Sequence, residues 1–174
     1  MDKISTAAVL QQDIERCSKA FDDKIKGVGG KRAVMVCGGT GCLANDSDAI
    51  LKEFEKQIKE KGLDAKVSIN HVGCFGFCSQ GPFVKIFPDD TLYHKVKVSD
   101  VSHIVDDDLI GGKVCEDLLY VDPSTHEKVV RQDDINFYKK QMRISLHGCS
   151  LINPDFLEES LGYDGFKALT KVLT

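Results

Sequence analysis

The chain has 174 residues, of which 42% are hydrophobic, and a formal net charge of −4 at pH 7. This suits one domain of ordinary size, or a domain of about 100 residues with an appendage, and the scattered lysines give no reason to expect nucleic acid as a partner. Apolar runs are short and the amino terminus lacks the apolar region of a secretory signal, so we expect a cytoplasmic protein with no direct membrane insertion.

The first predicted element is an amphipathic helix from residue 1 to about residue 26, which ends at the sequence GVGG. A helix of this kind needs an apolar surface to cover, either in its own chain or in a partner. Cys17 lies on the apolar stripe, which favours a buried thiol over a metal ligand. The stripe recurs at spacings of three and four residues and consists of Ala7, Leu10, Ile14, Cys17, Phe21 and Ile25.

Two β-rich segments flank a second predicted helix. Residues 32–36 and 65–71 are the strands, and residues 45–62 between them have helical apolar spacing. Such a βαβ unit is right-handed in nearly all known proteins, so the strands are predicted to be parallel. Each strand leads into a glycine-rich cysteine loop, CGGTGC and then CFGFC. Ligand sites lie beyond the carboxyl ends of such strands, so both loops are expected at one edge of the sheet.

A hairpin and a helix follow the second loop. Residues 83–87 and 91–96 flank the turn PDD, and the next helix begins near Lys97 and ends at a glycine pair. The order β-α-β-β-β-α predicts an α/β protein with a thioredoxin-like fold. Pro82 occupies the place where such folds keep a cis proline, so we predict a cis Gly81–Pro82 bond. The sequence contains no C-x-x-C motif, which excludes thioredoxin dithiol chemistry.

The last third of the chain has a different character. Residues 113–174 contain turn signals and two short helical segments, 154–161 and 163–173, but too few apolar residues for a separate core. We therefore divide the chain into an N-terminal helix with its linker (1–30), a central domain (31–112) and a C-terminal arm (113–174). The arm is expected to begin something larger or to wrap around a neighbour.

The four loop cysteines are the candidate metal ligands. Cys37 and Cys42 enclose four residues, Cys74 and Cys78 enclose three, and 31 residues separate the pairs. In a reducing cytoplasm, clustered cysteines are more often metal ligands or redox groups than disulfides. A [2Fe-2S] cluster takes four thiolates, two on each iron, which suits ligands supplied as two short loops.

The residues between these cysteines have predicted roles as well. Glycines allow backbone N–H groups to turn toward the sulfur atoms, and Phe75 and Phe77 are expected to shield a cluster from water. The glycines expected to act in this way are Gly38, Gly39, Gly41, Gly73 and Gly76.

Other interpretations of the cysteines stay open. Structural zinc also takes four cysteines, so a zinc-bound or cluster-free module that only docks subunits is the alternative. A phosphate-binding loop is excluded because Gly41 is followed by Cys42 and not by lysine. Cys115 and Cys149 stand apart from the glycine-rich loops and are interpreted as structural or incidental.

These motifs together resemble a known family. C-x4-C followed by C-x3-C in this strand–loop context, with the tail GPFVKIFPDDTLYHKVKVSDVSHIVDDDL, is similar to the thioredoxin-like [2Fe-2S] ferredoxin domain of the small iron–sulfur subunit of respiratory complex I and its relatives. The resemblance covers about residues 31–112. It implies a one-electron carrier that binds its cluster through the four loop cysteines and needs no catalytic acid, base or nucleophile.

The arm carries a second resemblance. The sequence DINFYKKQMRISLHGCSLINPDFLEESLGYDGFKAL is similar to the segment that precedes the flavin domain in NADH-binding subunits. Ferredoxin domains fused ahead of such a segment are characteristic of the flavoprotein β subunits of NAD(P)-linked, often electron-bifurcating, iron-only hydrogenases and formate dehydrogenases. The resemblance implies other redox subunits as partners, with a homo-oligomer as a further alternative. FMN and NAD(P) are expected only in a downstream domain or a partner, because these residues contain no flavin or nucleotide loop.

Overall fold

The computed structural model describes residues 6–173, so residues 1–5 of the first predicted helix lie outside the described residues. The helices are α1 (Ala7–Ile25), α2 (Thr40–Leu43), α3 (Ser47–Glu60), α4 (Val101–His103), which continues as a π-helical segment (Ile104–Ile110), α5 (Asn136–Lys139), α6 (Leu157–Gly162) and α7 (Lys167–Leu173). The strands are β1 (Arg32–Cys37), β2 (Val67–Val72), β3 (Val84–Phe87), β4 (Thr91–Tyr93), β5 (Tyr120–Val121) and β6 (Lys128–Val129).

The main sheet has the strand order β2-β1-β3-β4. β1 and β2 are parallel, and their register pairs Cys37 with Val72. β3 is antiparallel to β1 and to β4. The predicted β-α-β-β-β-α order and α/β fold are therefore confirmed. Because the parallel strands end level with each other, the loops that follow them emerge at one edge of the sheet.

β1 is buried on both faces, and successive side chains pack into two different cores. Val34 and Val36 join the core beneath α3 and α4, whereas Met35 and Cys37 join the opposite core. Side chains of the C-terminal arm complete this second core, among them Tyr120, Ile135 and Tyr138. The arm therefore covers the face of the sheet to which Cys37 belongs.

The apolar stripe of α1 is covered by the chain itself. α6 lies across α1 so closely that a Cβ added at Gly162 would be 2.8 Å from the carbonyl oxygen of Cys17. An ion pair with 2.5 Å between Lys24 Nζ and Glu159 Oε1 joins the same two helices. The buried cluster between them consists of Leu10, Ile14, Cys17 and Leu161, which confirms the predicted burial of the Cys17 thiol.

Two backbone features complete the description. The Gly81–Pro82 bond is cis, as predicted, and the Phe87–Pro88 bond is cis as well, which the sequence did not lead us to expect. Among residues 6–173, no helix combines the length and apolar character that crossing a membrane would require.

Candidate metal centre

The first cysteine loop turns back on itself directly after β1. Cys37 is fully buried at the end of the strand, and its backbone N–H donates to the carbonyl of Phe83 at 3.1 Å. Gly39 precedes the single turn of α2, and the Cys42 N–H donates to the Gly39 carbonyl at 2.9 Å. This turn returns Cys42 to the protein interior, where it is 1% exposed. The loop thus holds two thiols in the buried part of the site.

The second loop presents its cysteines closer to the surface. Cys74 is half-buried and Cys78 is exposed, and their sulfur atoms are 3.7 Å apart. Gly76 lies between them with φ of 85°, a left-handed conformation that favours glycine. This conformation directs the Gly76 N–H to the sulfur of Cys74 at 3.2 Å. The site therefore has a buried pair of thiols and a more accessible pair.

Close approaches at glycine show that the two loops face each other. A Cβ added at Gly39 would lie 2.9 Å from Sγ of Cys74, and one added at Gly41 would lie 3.7 Å from Sγ of Cys78. The space beside the sulfur atoms is thus kept free of side chains. The four cysteines that the sequence pattern selects are brought together at one edge of the sheet.

Two of the predicted glycines lie against groups other than the four loop thiols, and one glycine that lies against a loop thiol was not predicted. A Cβ added at Gly38 would be 2.0 Å from the His71 ring, and one at Gly73 would be 3.7 Å from the sulfur of Cys149. Gly81 was not among the candidates, yet an added Cβ there would be 2.5 Å from the sulfur of Cys42. Its position next to the predicted cis proline was the signal that could have identified it.

The electrostatics of the buried pair favour one thiolate. The Cys42 thiol donates to the Cys37 sulfur and lowers the pKa of Cys37 to about 6, although burial acts in the opposite direction. Backbone N–H groups of Gly39 and Phe75 lower the pKa of Cys37 further. The same thiol–thiol hydrogen bond, followed by burial, raises the pKa of Cys42. Oriented N–H groups of this kind stabilise anionic sulfur, which is what a thiolate ligand requires.

The donor set fits a two-iron cluster better than one ion. No group of three or more His, Cys, Asp or Glu side chains within residues 6–173 is placed to hold a single metal ion. A [2Fe-2S] cluster distributes four thiolates over two irons, two on each, so its ligands need not converge on one point. Four cysteines in two facing pairs, with glycine beside the sulfur atoms, therefore fit this group.

Aromatic side chains cover the second loop. Phe75 is fully buried and stacks on Phe83 with 5.4 Å between ring centroids. Phe77 stacks on Phe137 of the arm with centroids 4.2 Å apart, and the edge of Tyr138 approaches Phe77 at 6.2 Å. Sequence reasoning missed both arm residues as neighbours of the site, because 60 or so positions separate them from the loop.

Of the other cysteines, Cys115 lies apart from the four-thiol site and Cys149 lies beside it. Cys115 is buried, and burial raises its pKa to about 11, so it is a neutral core thiol. Cys149 is half-buried and lies against Gly73, where the arm pairs with the second loop through two backbone hydrogen bonds of 3.1 Å, from Ser150 to Gly73 and from Gly73 to Ile152.

Comparison with known proteins identifies the class of protein to which this fold and site belong. The family model described as "Thioredoxin-like [2Fe-2S] ferredoxin" matches residues 20–108, about half of the chain. The chain belongs to this family. It therefore carries a [2Fe-2S] cluster and functions in electron transfer.

The chain is also similar to individual proteins over part of its length. The chain is 35% identical over 77 residues to a protein of Clostridium pasteurianum named "Ferredoxin, 2Fe-2S", covering 44% of this chain and 76% of the relative. It is 30% identical over 82 residues to a subunit of the NADH-quinone oxidoreductase of Rickettsia felis, covering 45% and 48%. The crystal structure of the thioredoxin-like [2Fe-2S] ferredoxin from Aquifex aeolicus is 30% identical, with a TM-score of 0.48, and covers 52% of this chain and 96% of that one.

Two of the glycines of the first loop, Gly39 and Gly41, provide a matched test of the crowding beside the sulfur atoms. Gly39→Ala places a Cβ 2.9 Å from Cys74 Sγ, whereas the nearest atom to the Cβ of Gly41→Ala is 3.5 Å away, an ordinary contact. We expect Gly39→Ala to weaken iron retention about 10–100-fold, the range seen when residues around metal ligands are changed, and Gly41→Ala to retain it. Iron release to a chelator measures this difference, and equal release rates in both variants would contradict it.

Proposed function

We propose that Cys37, Cys42, Cys74 and Cys78 hold the [2Fe-2S] cluster. The observation that carries this assignment is the approach of the two loops, in which Gly39 faces Cys74 and Gly81 faces Cys42 at distances that exclude a Cβ. Each loop supplies two thiols, as a two-iron cluster requires.

The residues around the thiols have separate tasks in this proposal. When bound, the cluster accepts and releases one electron at a time. The Gly76 N–H donates to the Cys74 sulfur and stabilises negative charge on it. Phe75 fills the buried side and excludes water there, while Cys78 is exposed. The side of Cys78 is therefore the side at which a partner's redox centre can come closest.

We further propose that the chain relays electrons within an NAD(P)H-linked, flavin-containing oxidoreductase of several subunits. Two observations support this context: the likeness to a protein named as a subunit of NADH-quinone oxidoreductase, and an arm that packs against the site through Phe137 and Tyr138. In this proposal, residues 31–112 are the ferredoxin domain and residues 113–174 connect it to a flavin-binding domain or subunit. All seven cysteines are free thiols in the structure, which fits the reducing cytoplasm that we propose as the location.

Reduction by pyridine nucleotide tests this context. In the complex purified from its native cells, NADH or NADPH is expected to reduce the [2Fe-2S] cluster of this chain, as monitored by EPR. The same chain purified alone is expected to be reduced by dithionite but not by either nucleotide, because in this proposal the flavin that accepts the hydride belongs to a downstream domain or a partner. A native preparation without flavin, or one in which the cluster stays oxidised with both nucleotides, would contradict the proposed context.

A further inference from the structure

A short helix of the arm lies directly over the second cysteine loop. The ring of Phe137 in α5 stacks on Phe77 with centroids 4.2 Å apart and an interplanar angle of 13°. The neighbouring Tyr138 ring meets Phe77 edge-on at 86°. Ile135, which precedes α5, is 1% exposed, and Asn136 donates to Asp122 at 2.7 Å. α5 is thus anchored at its start and held against the loop by aromatic contacts.

Tyr138 has a buried hydroxyl group without a hydrogen-bond partner. The residue is 6% exposed, and its oxygen has no donor or acceptor partner among residues 6–173. Buried polar groups nearly always have a partner, and the described protein atoms supply none to this hydroxyl.

Tyr138 belongs to the same buried core as Cys37 and Cys42, and its ring meets Phe77 of the second loop. Burial raises the pKa of Tyr138, and the nearby Arg143 acts against it. The hydroxyl therefore stays protonated in the core that it shares with Cys37 and Cys42. A protonated phenol can donate its hydrogen atom, and sulfur is the acceptor that the bound group would bring.

Arg143 places a positive charge near the Tyr138 ring and the second cysteine loop. Its guanidinium carbon is 5.3 Å from the centroid of the Tyr138 ring, within the range of a cation–π contact. Its Nη1 donates a long hydrogen bond of 3.5 Å to the carbonyl of Phe75, the residue that follows Cys74. Arg143 thus spans the arm and the second loop.

We propose that Tyr138 and Arg143 raise the reduction potential of the cluster, Tyr138 by donating a hydrogen bond to a sulfur atom and Arg143 by its charge. This inference rests on the proposed ligands. Reduction adds one negative charge, and a hydrogen-bond donor and a cation both favour the more negative state. Tyr138 keeps its proton and no covalent bond forms or breaks; the electron comes from the external reductant. The arm thereby tunes the redox centre as well as covering it.

Midpoint potentials of variants test the proposal. In an EPR-monitored titration with dithionite, we expect Tyr138→Phe and Arg143→Gln each to lower the ratio of reduced to oxidised cluster about threefold or more at the wild-type midpoint. This corresponds to a fall of about 30 mV, since a tenfold change is 59 mV for one electron. Arg143→Lys keeps the charge and is expected to stay closer to wild type. Lys140→Gln removes one charge from an exposed position of the same arm and is the matched control, expected to leave the potential unchanged.

The outcomes separate this inference from the ligand assignment. Wild-type potentials in both Tyr138→Phe and Arg143→Gln, with the cluster intact, would overturn the tuning role alone. An equal fall in Lys140→Gln would also overturn it, because the effect would then be one of general charge. Loss of the cluster from Tyr138→Phe would show a structural role instead. If the wild-type chain held no two-iron cluster on these cysteines, the ligand assignment and this inference would both fail.

Discussion

Cys37→Ala is expected to abolish cluster binding. Cys37 is fully buried between the two loops, and the hydrogen bonds that lower its pKa indicate a site built for a thiolate. Alanine removes the ligand, so we expect iron retention to fall by more than about 100-fold, beyond the loss that follows from changes around a ligand. The iron content and the visible spectrum of the purified variant measure this, and a colourless protein is expected.

A second buried cysteine supplies the control for this experiment. Cys17 is 4% exposed in the contact between α1 and α6, away from the cysteine loops. Cys17→Ala removes a buried thiol in the same way, yet it is expected to keep the full iron content. Full iron content in Cys37→Ala, or equal loss in both variants, would remove Cys37 from the ligand set.

Asp108→Ala is expected to lower the free energy of unfolding more than Asp106→Ala or Tyr93→Phe. Asp108 is 2% exposed, and its carboxylate accepts hydrogen bonds from Arg32 at 2.6 Å and from the hydroxyl of Tyr93 at 2.5 Å. Alanine at this position leaves the Arg32 side chain, which is only 15% exposed, with the exposed Asp89 as its remaining ion-pair partner. We therefore expect the free energy of unfolding to fall by about 3–5 kcal/mol, measured by urea denaturation.

The neighbouring acid Asp106 provides the control for Asp108→Ala. The side chain of Asp106 is 56% exposed and pairs with Lys61 at the surface. Such pairs contribute about 0–1 kcal/mol, so Asp106→Ala is expected to change stability little. Tyr93→Phe, which removes the hydroxyl that donates to Asp108 and accepts from the Cys115 N–H, should lie between the two at about 1–3 kcal/mol. Similar losses in Asp106→Ala and Asp108→Ala would contradict the buried network.

The sequence predicted the elements that position the cysteines because each has a strong local signal. Strand segments ended in cysteine and glycine, and a helix of regular apolar spacing joined the first two strands. These features, with the general rule for βαβ units, are enough to place Cys37 and Cys74 at one edge. The structure has the predicted parallel pair of strands and brings both loops to that edge.

The burial of Asp108 could have been predicted from its position in the helical pattern, but it was not. Asp108 lies seven residues after Val101, so helical spacing places it on the same face as Ile104 and Val105, which are buried as predicted. This acid within the run VDDDLI was nevertheless not among the positions that the sequence led us to single out. Its partner Arg32 is 76 positions away, and no local pattern announces that pairing.

The contribution of the arm could not be predicted from the sequence. Arg143 and Phe75 are 68 positions apart, and their contact depends on how residues 113–173 return across the sheet. The arm alone has too few apolar residues for a core to be predicted from its sequence. In the structure its apolar side chains complete a core to which β1 also contributes. Tyr138 and Ile135 therefore appear as isolated apolar positions in the sequence and as core residues in the structure.

Iron and acid-labile sulfide, measured together on the purified chain, are the direct test of a [2Fe-2S] cluster in this protein. We expect about two irons and two labile sulfides per chain, and no zinc, in a red-brown protein with a reducible two-iron EPR signal. A colourless protein with one tightly bound zinc and no labile sulfide would contradict it.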